Sequence, residues 1–261
     1  MERELTGKHA LVTGASAGIG RACALALAAR GAAVTVLARS AEKLASLRVE
    51  LSAAGAPEAH VLVADLEDRE SLRLRVEAHL ASAGPVHIVV NNAGGPPGGP
   101  ILEATEAEFV QAFGRLLMAP HLLVKLLLPG MAEAGYGRIV NIISTSVREP
   151  LPNLGVSNTI RAATAAWAKT LAKELPPGIT INNVLPGATA TERLEAIELA
   201  VAVKTGKSLE AVRADMVRII PEGRVADPGE TAALVAFLAS PQAGYIRGQS
   251  IAVDGGRMNS L

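Results

Sequence analysis

The run Thr13-Gly14-Ala15-Ser16-Ala17-Gly18-Ile19-Gly20 stands between a strand-like apolar segment, HALVT at 9–13, and a stretch of helical periodicity at 18–30. Glycines at this spacing allow a tight turn and bring bare backbone close to phosphate, while the helix amino terminus offers unpaired N–H groups and partial positive charge. The chemistry implied is the cradling of a pyrophosphate. The pattern alone is weak; the strand before it and the helix after it make it a dinucleotide signal. A second glycine-rich patch, GGPPGG at 94–99, follows another apolar run, where open α/β sheets place their ligand crevice. It reads as an active-site loop, with a plain surface turn as the alternative. Cys23, the only cysteine, reads as buried filler and allows no internal disulfide. His9, His60, His79, His87 and His121 are scattered without ligand spacing, so no metal site is expected.

The elements that must position these residues alternate regularly. Strand-like runs fall at 9–13, 33–38, 59–66, 86–92, 137–144, 178–187 and 249–256, with helical stretches at 18–30, 40–54, 68–83, 105–134, 157–175, 192–217 and 228–239. The strands are continuously apolar, as in sheets covered on both faces. Alternation of this kind predicts an α/β fold: a single-domain, Rossmann-type doubly wound parallel sheet with right-handed crossovers, spanning 1–261. In the long stretch at 105–134, Pro120 is expected to kink the helix.

Composition limits the partners. Twenty-five basic residues balance twenty-five acidic ones, which leaves no footprint for nucleic acid or a membrane surface and favours a small-molecule substrate. The charged start MERELTGKHALVTG lacks the apolar core of a signal peptide, and no uninterrupted apolar run reaches membrane-spanning length, so a cytoplasmic protein is expected. Only 2% of the residues are aromatic, so the core must be built from Ala, Val, Leu and Ile.

With these motifs in order, the chain resembles the short-chain dehydrogenase/reductase family along nearly its whole length. The T-G-x-x-x-G-I-G pattern lies at 13–20, Asp65-Leu66 matches the adenine-contacting Asp-Leu, and Asn91-Asn92-Ala93-Gly94 matches the family's N-N-A-G. Pro186-Gly187 with Thr191 resembles the P-G-x-x-x-T segment that meets the nicotinamide, and PEGRVADPGETAALVAFLASPQAGYIRGQSIAVDGG resembles the family's carboxyl-terminal stretch. The resemblance implies cofactor-binding roles for Gly14, Ser16, Gly18, Ile19, Gly20, Asp65, Leu66, Asn91, Ala93, Gly94, Arg161, Pro186, Gly187, Thr189 and Thr191. At the end of the second strand, an acid would bond the ribose hydroxyls, but Ala38 and Arg39 stand there. A guanidinium suits a 2'-phosphate, so NADP(H) is favoured over NAD(H).

The family's catalytic tetrad of Asn, Ser, Tyr and Lys is altered. Ser144 falls on the tetrad serine, but Y-x-x-x-K falls on Ser157-Asn158-Thr159-Ile160-Arg161, and the Asn position falls on Leu116. The only tyrosines, Tyr136 and Tyr245, lie where neither should reach a reacting carbonyl. An aliphatic hydroxyl is a much weaker acid than a phenol, and Arg161 grips differently from lysine. Ser144, Ser157 and Arg161 are therefore the candidate catalytic residues. His121, five residues beyond Leu116, should face away from it, roughly 140° around the helix. Glu149 is a weak candidate acid, and Arg148 a candidate for binding an acidic substrate group.

Ser-Asn followed by Arg, together with the N-N-A-G-G-P-P loop, resembles a branch of the family likened to β-ketoacyl carrier-protein reductases. Two functions stay open. One is an NADP(H)-dependent oxidoreductase of carbonyl or alcohol substrates, such as 3-oxoacyl thioesters. The other is a catalytically impaired NADP(H)-binding protein, a sensor or assembly subunit. The resemblance also implies a homo-oligomer, dimer or tetramer, built on the helices near 105–134 and 157–175, and a substrate lid at 192–220.

Overall fold

The computed structural model describes residues 3–260. Seven strands form one parallel sheet: β1 (His9–Thr13), β2 (Ala33–Ala38), β3 (Ala59–Val63), β4 (Ile88–Asn91), β5 (Gly137–Ile142), β6 (Ile179–Pro186) and β7 (Ser250–Val253). Their order is β3-β2-β1-β4-β5-β6-β7. The chain winds outward from β1 in one direction and from β4 in the other, so a crevice opens between the carboxyl ends of these two strands. The sheet is the doubly wound α/β architecture expected from the alternation.

Alternate strand residues feed two cores. Ala10, Val12, Val34, Val36, Val90 and Val140 pack with α1 (Gly18–Ala29), α2 (Ala41–Ala54) and α9 (Pro228–Leu238) through Leu27, Leu47 and Val235. Leu11, Leu37, Val89, Ile139 and Ile181 pack with α3 (Arg69–Ala83), α5 (Ala119–Glu133) and α6 (Gly155–Glu174) through Leu72, Leu123, Leu127 and Ala168. Small residues on α1 and α6 let these helices lie close to the strands. Cys23 belongs to the first core, where burial pushes its thiol up to about 12.

The long apolar stretch forms α4 (Glu106–Phe113), a π-helical turn at Gly114–Met118, and α5. The distortion precedes Pro120 instead of falling on it. Proline has no N–H to offer the Leu116 carbonyl one turn earlier, and Thr164 Oγ1 on α6 donates to that carbonyl at 3.1 Å. By length and composition, Glu106–Glu133 is the one helix among the described residues that could cross a membrane. Here Leu123, Leu127 and Met131 are buried against the sheet. The stretch at 192–217 is two helices, α7 (Glu192–Thr205) and α8 (Leu209–Arg218), because Gly206 takes a left-handed conformation (φ 69°) and Ser208 caps α8.

Four of the five histidines are not scattered. Parallel pairing of β1, β2 and β3, with α3 beside them, brings the His9, His60 and His79 rings to centroid separations of 5.4–5.6 Å. The Nε2 atoms of His9 and His79 both meet Thr35 Oγ1, at 2.7 and 2.8 Å, and His87 Nδ1 accepts from the His9 N–H. The group lies at the amino ends of the strands, opposite the crevice. No cluster of three or more His, Cys, Asp or Glu side chains among the described residues has metal-holding geometry.

Candidate active site

The crevice at the carboxyl ends of β1 and β4 opens into a cleft of about 390 Å³. Along one side lie Gly14, Gly18 and Ile19 of the glycine turn, and along another Ala93 and Gly94, which follow β4. Pro186, Gly187, Thr189 and Thr191, at and beyond the end of β6, close a third side, and Ser144, Ser157 and Arg161 complete the lining. A Cβ on Gly18 would come within 3.1 Å of Thr191 Cγ2, so the Thr191 segment lies directly across the turn.

Asn92 holds the glycine turn. Its side-chain N–H₂ donates to the carbonyls of Thr13 and Gly14 at 3.4 and 3.2 Å, while Thr13 Oγ1 donates to the Asn92 carbonyl at 2.8 Å. Gly14 has φ 57°, and a Cβ there would lie 2.5 Å from the Asn92 carbonyl oxygen. A Cβ on Gly20 would collide with the Gly14 carbonyl oxygen, so α1 can close onto the turn only with glycine there. Asn92 was not among the expected site residues, although its place in N-N-A-G was the available signal.

Asn91 Nδ2 donates to Asn141 Oδ1 at 2.8 Å, and Asn141 Nδ2 donates to Asn183 Oδ1 at 2.9 Å. Asn183 continues to Ser250 Oγ at 3.1 Å. These residues are in register on β4, β5, β6 and β7, so side-chain amides tie the strands side by side beneath the crevice. Leu66 and Asn91 border a cavity of about 20 Å³ below the cleft, with Leu116, Thr164 and Arg161. Ser16, Gly20, Arg39 and Asp65 border neither space. Arg39 Nη1 lies 3.9 Å from Asp65 Oδ2, at the ends of β2 and β3, and Asp65 Oδ1 also accepts from the Glu67 N–H.

The candidate catalytic residues Ser144, Ser157 and Arg161 meet in the lining of the cleft. Arg161 Nε donates to Ser157 Oγ at 3.2 Å, one turn back on α6, and Arg161 Nη1 donates to the carbonyls of Ile142 and Ile143 at 3.2 and 2.9 Å. Desolvation, followed by repulsion from Arg115 and Arg193, pushes Arg161 down to about 10, so it remains a cation at neutral pH. Ser144 caps the short turn after β5, its Oγ accepting from the Ser146 N–H at 3.1 Å. Its own O–H therefore remains available to the cleft.

Other candidates are held elsewhere. Tyr136 donates from its hydroxyl to the Ala239 carbonyl and lies between Lys8 and Arg138, before β5, while Tyr245 is fully exposed. His121 Nδ1 accepts from Trp167 Nε1 at 3.3 Å. Glu149 accepts from the Asn259 and Ser260 N–H groups, and Arg148 donates to the Ser250 carbonyl at 2.7 Å. Neither Glu149 nor Arg148 borders the cleft. Arg193, Leu194 and Ile197 of α7 do border it; the lid expectation covered their segment without singling them out.

A doubly wound sheet with a glycine turn at its switch point and two serines and a guanidinium facing that turn defines a dinucleotide-binding α/β protein. The "Enoyl-(Acyl carrier protein) reductase" family model matches residues 14–258, and the chain belongs to the short-chain dehydrogenase/reductase family. It is 34% identical to the 3-oxoacyl-acyl-carrier-protein reductase FabG of Vibrio harveyi, covering 97% of this chain and 98% of that one. It is 31% identical to the NADPH-dependent reductase BacG of Bacillus subtilis, covering 98% and 100%. The crystal structure of L-sorbose reductase from Gluconobacter frateurii with NADPH and L-sorbose superposes with a TM-score of 0.93 at 30% identity, covering all of both chains.

Proposed function

We propose that this protein is an NADP(H)-dependent oxidoreductase of carbonyl or alcohol substrates, 3-oxoacyl thioesters among them, working through an altered catalytic set. The observation that carries this reading is the shared cleft: the expected pyrophosphate cradle and Ser144, Ser157 and Arg161 line one continuous space. The reductase names of relatives that align end to end support it.

The residues fit the cofactor. Backbone N–H groups at the amino end of α1 suit the pyrophosphate, Arg39 suits a 2'-phosphate, and Asp65 suits the adenine amino group. Pro186, Gly187, Thr189 and Thr191 would flank the nicotinamide, which when bound supplies or accepts hydride. The Ser144 hydroxyl would hydrogen-bond the substrate oxygen and polarise it. Ser157, whose oxygen already accepts from the Arg161 cation, would pass a proton toward that oxygen, directly or through water. The helices α7 and α8 would cover the substrate.

The test is single-turnover oxidation of bound NADPH across β-ketoacyl thioesters, ketones and quinones, with Ser144→Ala and Ser157→Ala alongside. Substrate-dependent oxidation slowed at least tenfold in both variants supports the reading. Tight cofactor binding without turnover, unchanged in both variants, overturns it in favour of a cofactor-binding sensor or assembly subunit. That second reading draws on the position of Tyr136 and Tyr245, which leaves no phenol in the cleft. A homo-oligomer is part of the proposal, supported by the exposed Val110 and Phe113 on α4, and sedimentation would measure it.

A further inference from the structure

Two guanidiniums look onto one point of the cleft. A Cβ on Gly95 would lie 3.5 Å from Arg161 Nη2 and 4.0 Å from Arg193 Nη2, so both nitrogens stand over the same bare stretch of backbone. Arg161 spends Nε and Nη1 on Ser157 and on the Ile142 and Ile143 carbonyls, and Nη2 has no partner among the described residues. Arg193, on the first turn of α7, donates from Nη2 to the Pro96 carbonyl at 2.8 Å and is in no ion pair among the described residues. The third nearby cation, Arg115, is paired with Glu67 at 3.0 Å. Among the described residues the only carboxylate bordering the cleft is Glu192, which faces Lys43 at 3.6 Å.

Two like charges in a partly buried cleft repel, and no acid among the described residues pairs with either. Such an arrangement focuses positive potential on the space between them and becomes favourable when an anion enters. A guanidinium presents N–H pairs matched to the two oxygens of a carboxylate. The cofactor's phosphates have other hosts, at the amino end of α1 and at Arg39.

Resting on the oxidoreductase reading above, we propose that the substrate is an oxo acid, or the corresponding hydroxy acid, whose carboxylate is held over Gly95 by Arg161 Nη2 and Arg193. The carbonyl end then lies toward Ser144 and Ser157, and the pair of arginines selects acids over neutral ketones.

The experiment is calorimetric titration of the NADP⁺-saturated protein with pyruvate, acetoacetate and levulinate, each beside its methyl ester, in the wild type and in Arg193→Gln. Arg193 is an exposed side chain, and its replacement should leave the fold intact. At least one acid should bind tenfold or more tightly than its ester, and Arg193→Gln should bring that ratio close to one while shifting the NADPH Kd less than threefold. Equal binding of acid and ester throughout overturns the proposal. So does a variant that loses NADPH affinity tenfold but keeps the acid preference, which would assign Arg193 to a cofactor phosphate. Binding is read without turnover, and the titrations are repeated on cofactor-free protein. Acid selectivity and reductase activity can therefore fail separately.

Discussion

Arg161 Nε donates to Ser157 Oγ across one turn of α6, so the two residues that the sequence resemblance sets against Tyr-x-x-x-Lys are bonded to each other. On the proposed function, the guanidinium would stabilise negative charge developing on the serine oxygen, and the serine would keep one arm of the arginine in place. Ser157→Ala should lower turnover at least tenfold while changing the NADPH Kd less than threefold, measured by single-turnover kinetics and fluorescence titration.

The fold superposes on that of L-sorbose reductase with a TM-score of 0.93, so Tyr and Lys at positions 157 and 161 are expected to work even with Leu116 left in place. The double variant Ser157→Tyr, Arg161→Lys should raise turnover on β-ketoacyl thioesters at least tenfold. Steady-state kinetics on the purified variant would measure it, and no gain would place the deficit outside this pair.

Arg39 stands exposed at the end of β2, near Asp65. Replacing it with aspartate should repel a 2'-phosphate and offer an acceptor to ribose hydroxyls. Arg39→Asp should weaken NADPH binding at least tenfold, corresponding to about 1.4 kcal/mol, and narrow or reverse the preference over NADH. Paired titrations with the two nucleotides would show this.

Thr164 Oγ1 donates to the carbonyls of both Leu116 and Ile160, at 3.1 and 3.0 Å. Thr164→Val removes the donor that replaces the missing N–H of Pro120, and should cost about 1 kcal/mol, lowering Tm by roughly 2–4 °C for a chain of this size. Thr164→Ser should keep most of that stability, as calorimetry would show.

His9 is buried, and desolvation, followed by repulsion from His79, His60 and His87, lowers its pKa to about 4. Its folded-state value lies below the ordinary histidine value, so the unfolded chain binds the proton more readily. The associated stability is fully present above about pH 6.5 and is lost as pH falls toward about 4, an effect on the order of 3 kcal/mol. Urea unfolding from pH 7.5 to 4.5 should show this decline, and His9→Asn should flatten it.

The order of strands and helices was legible because continuously apolar runs and helical periodicity are local properties of a chain buried on both sheet faces. The glycine turn was equally legible, because a left-handed Gly14 and a close approach to Gly20 demand that residue type. From position alone, the family resemblance set Leu116, Ser157 and Arg161 against the family's Asn, Tyr and Lys.

How those residues meet one another was decided in three dimensions. Nothing in the residue types says that Arg161 bonds Ser157 and two strand-end carbonyls while its remaining nitrogen and one of Arg193 both lie near Gly95; that follows from placing α6, α7 and the loop after β4 around one crevice. The same holds for Asn92, whose clamp on the glycine turn depends on β1 and β4 being neighbours although they are far apart in sequence. It holds for the histidines too: parallel register gathers side chains whose sequence spacing gave no sign of a cluster. Local pattern determined the elements and the phosphate turn, and long-range packing alone determined which polar groups share the space beside it.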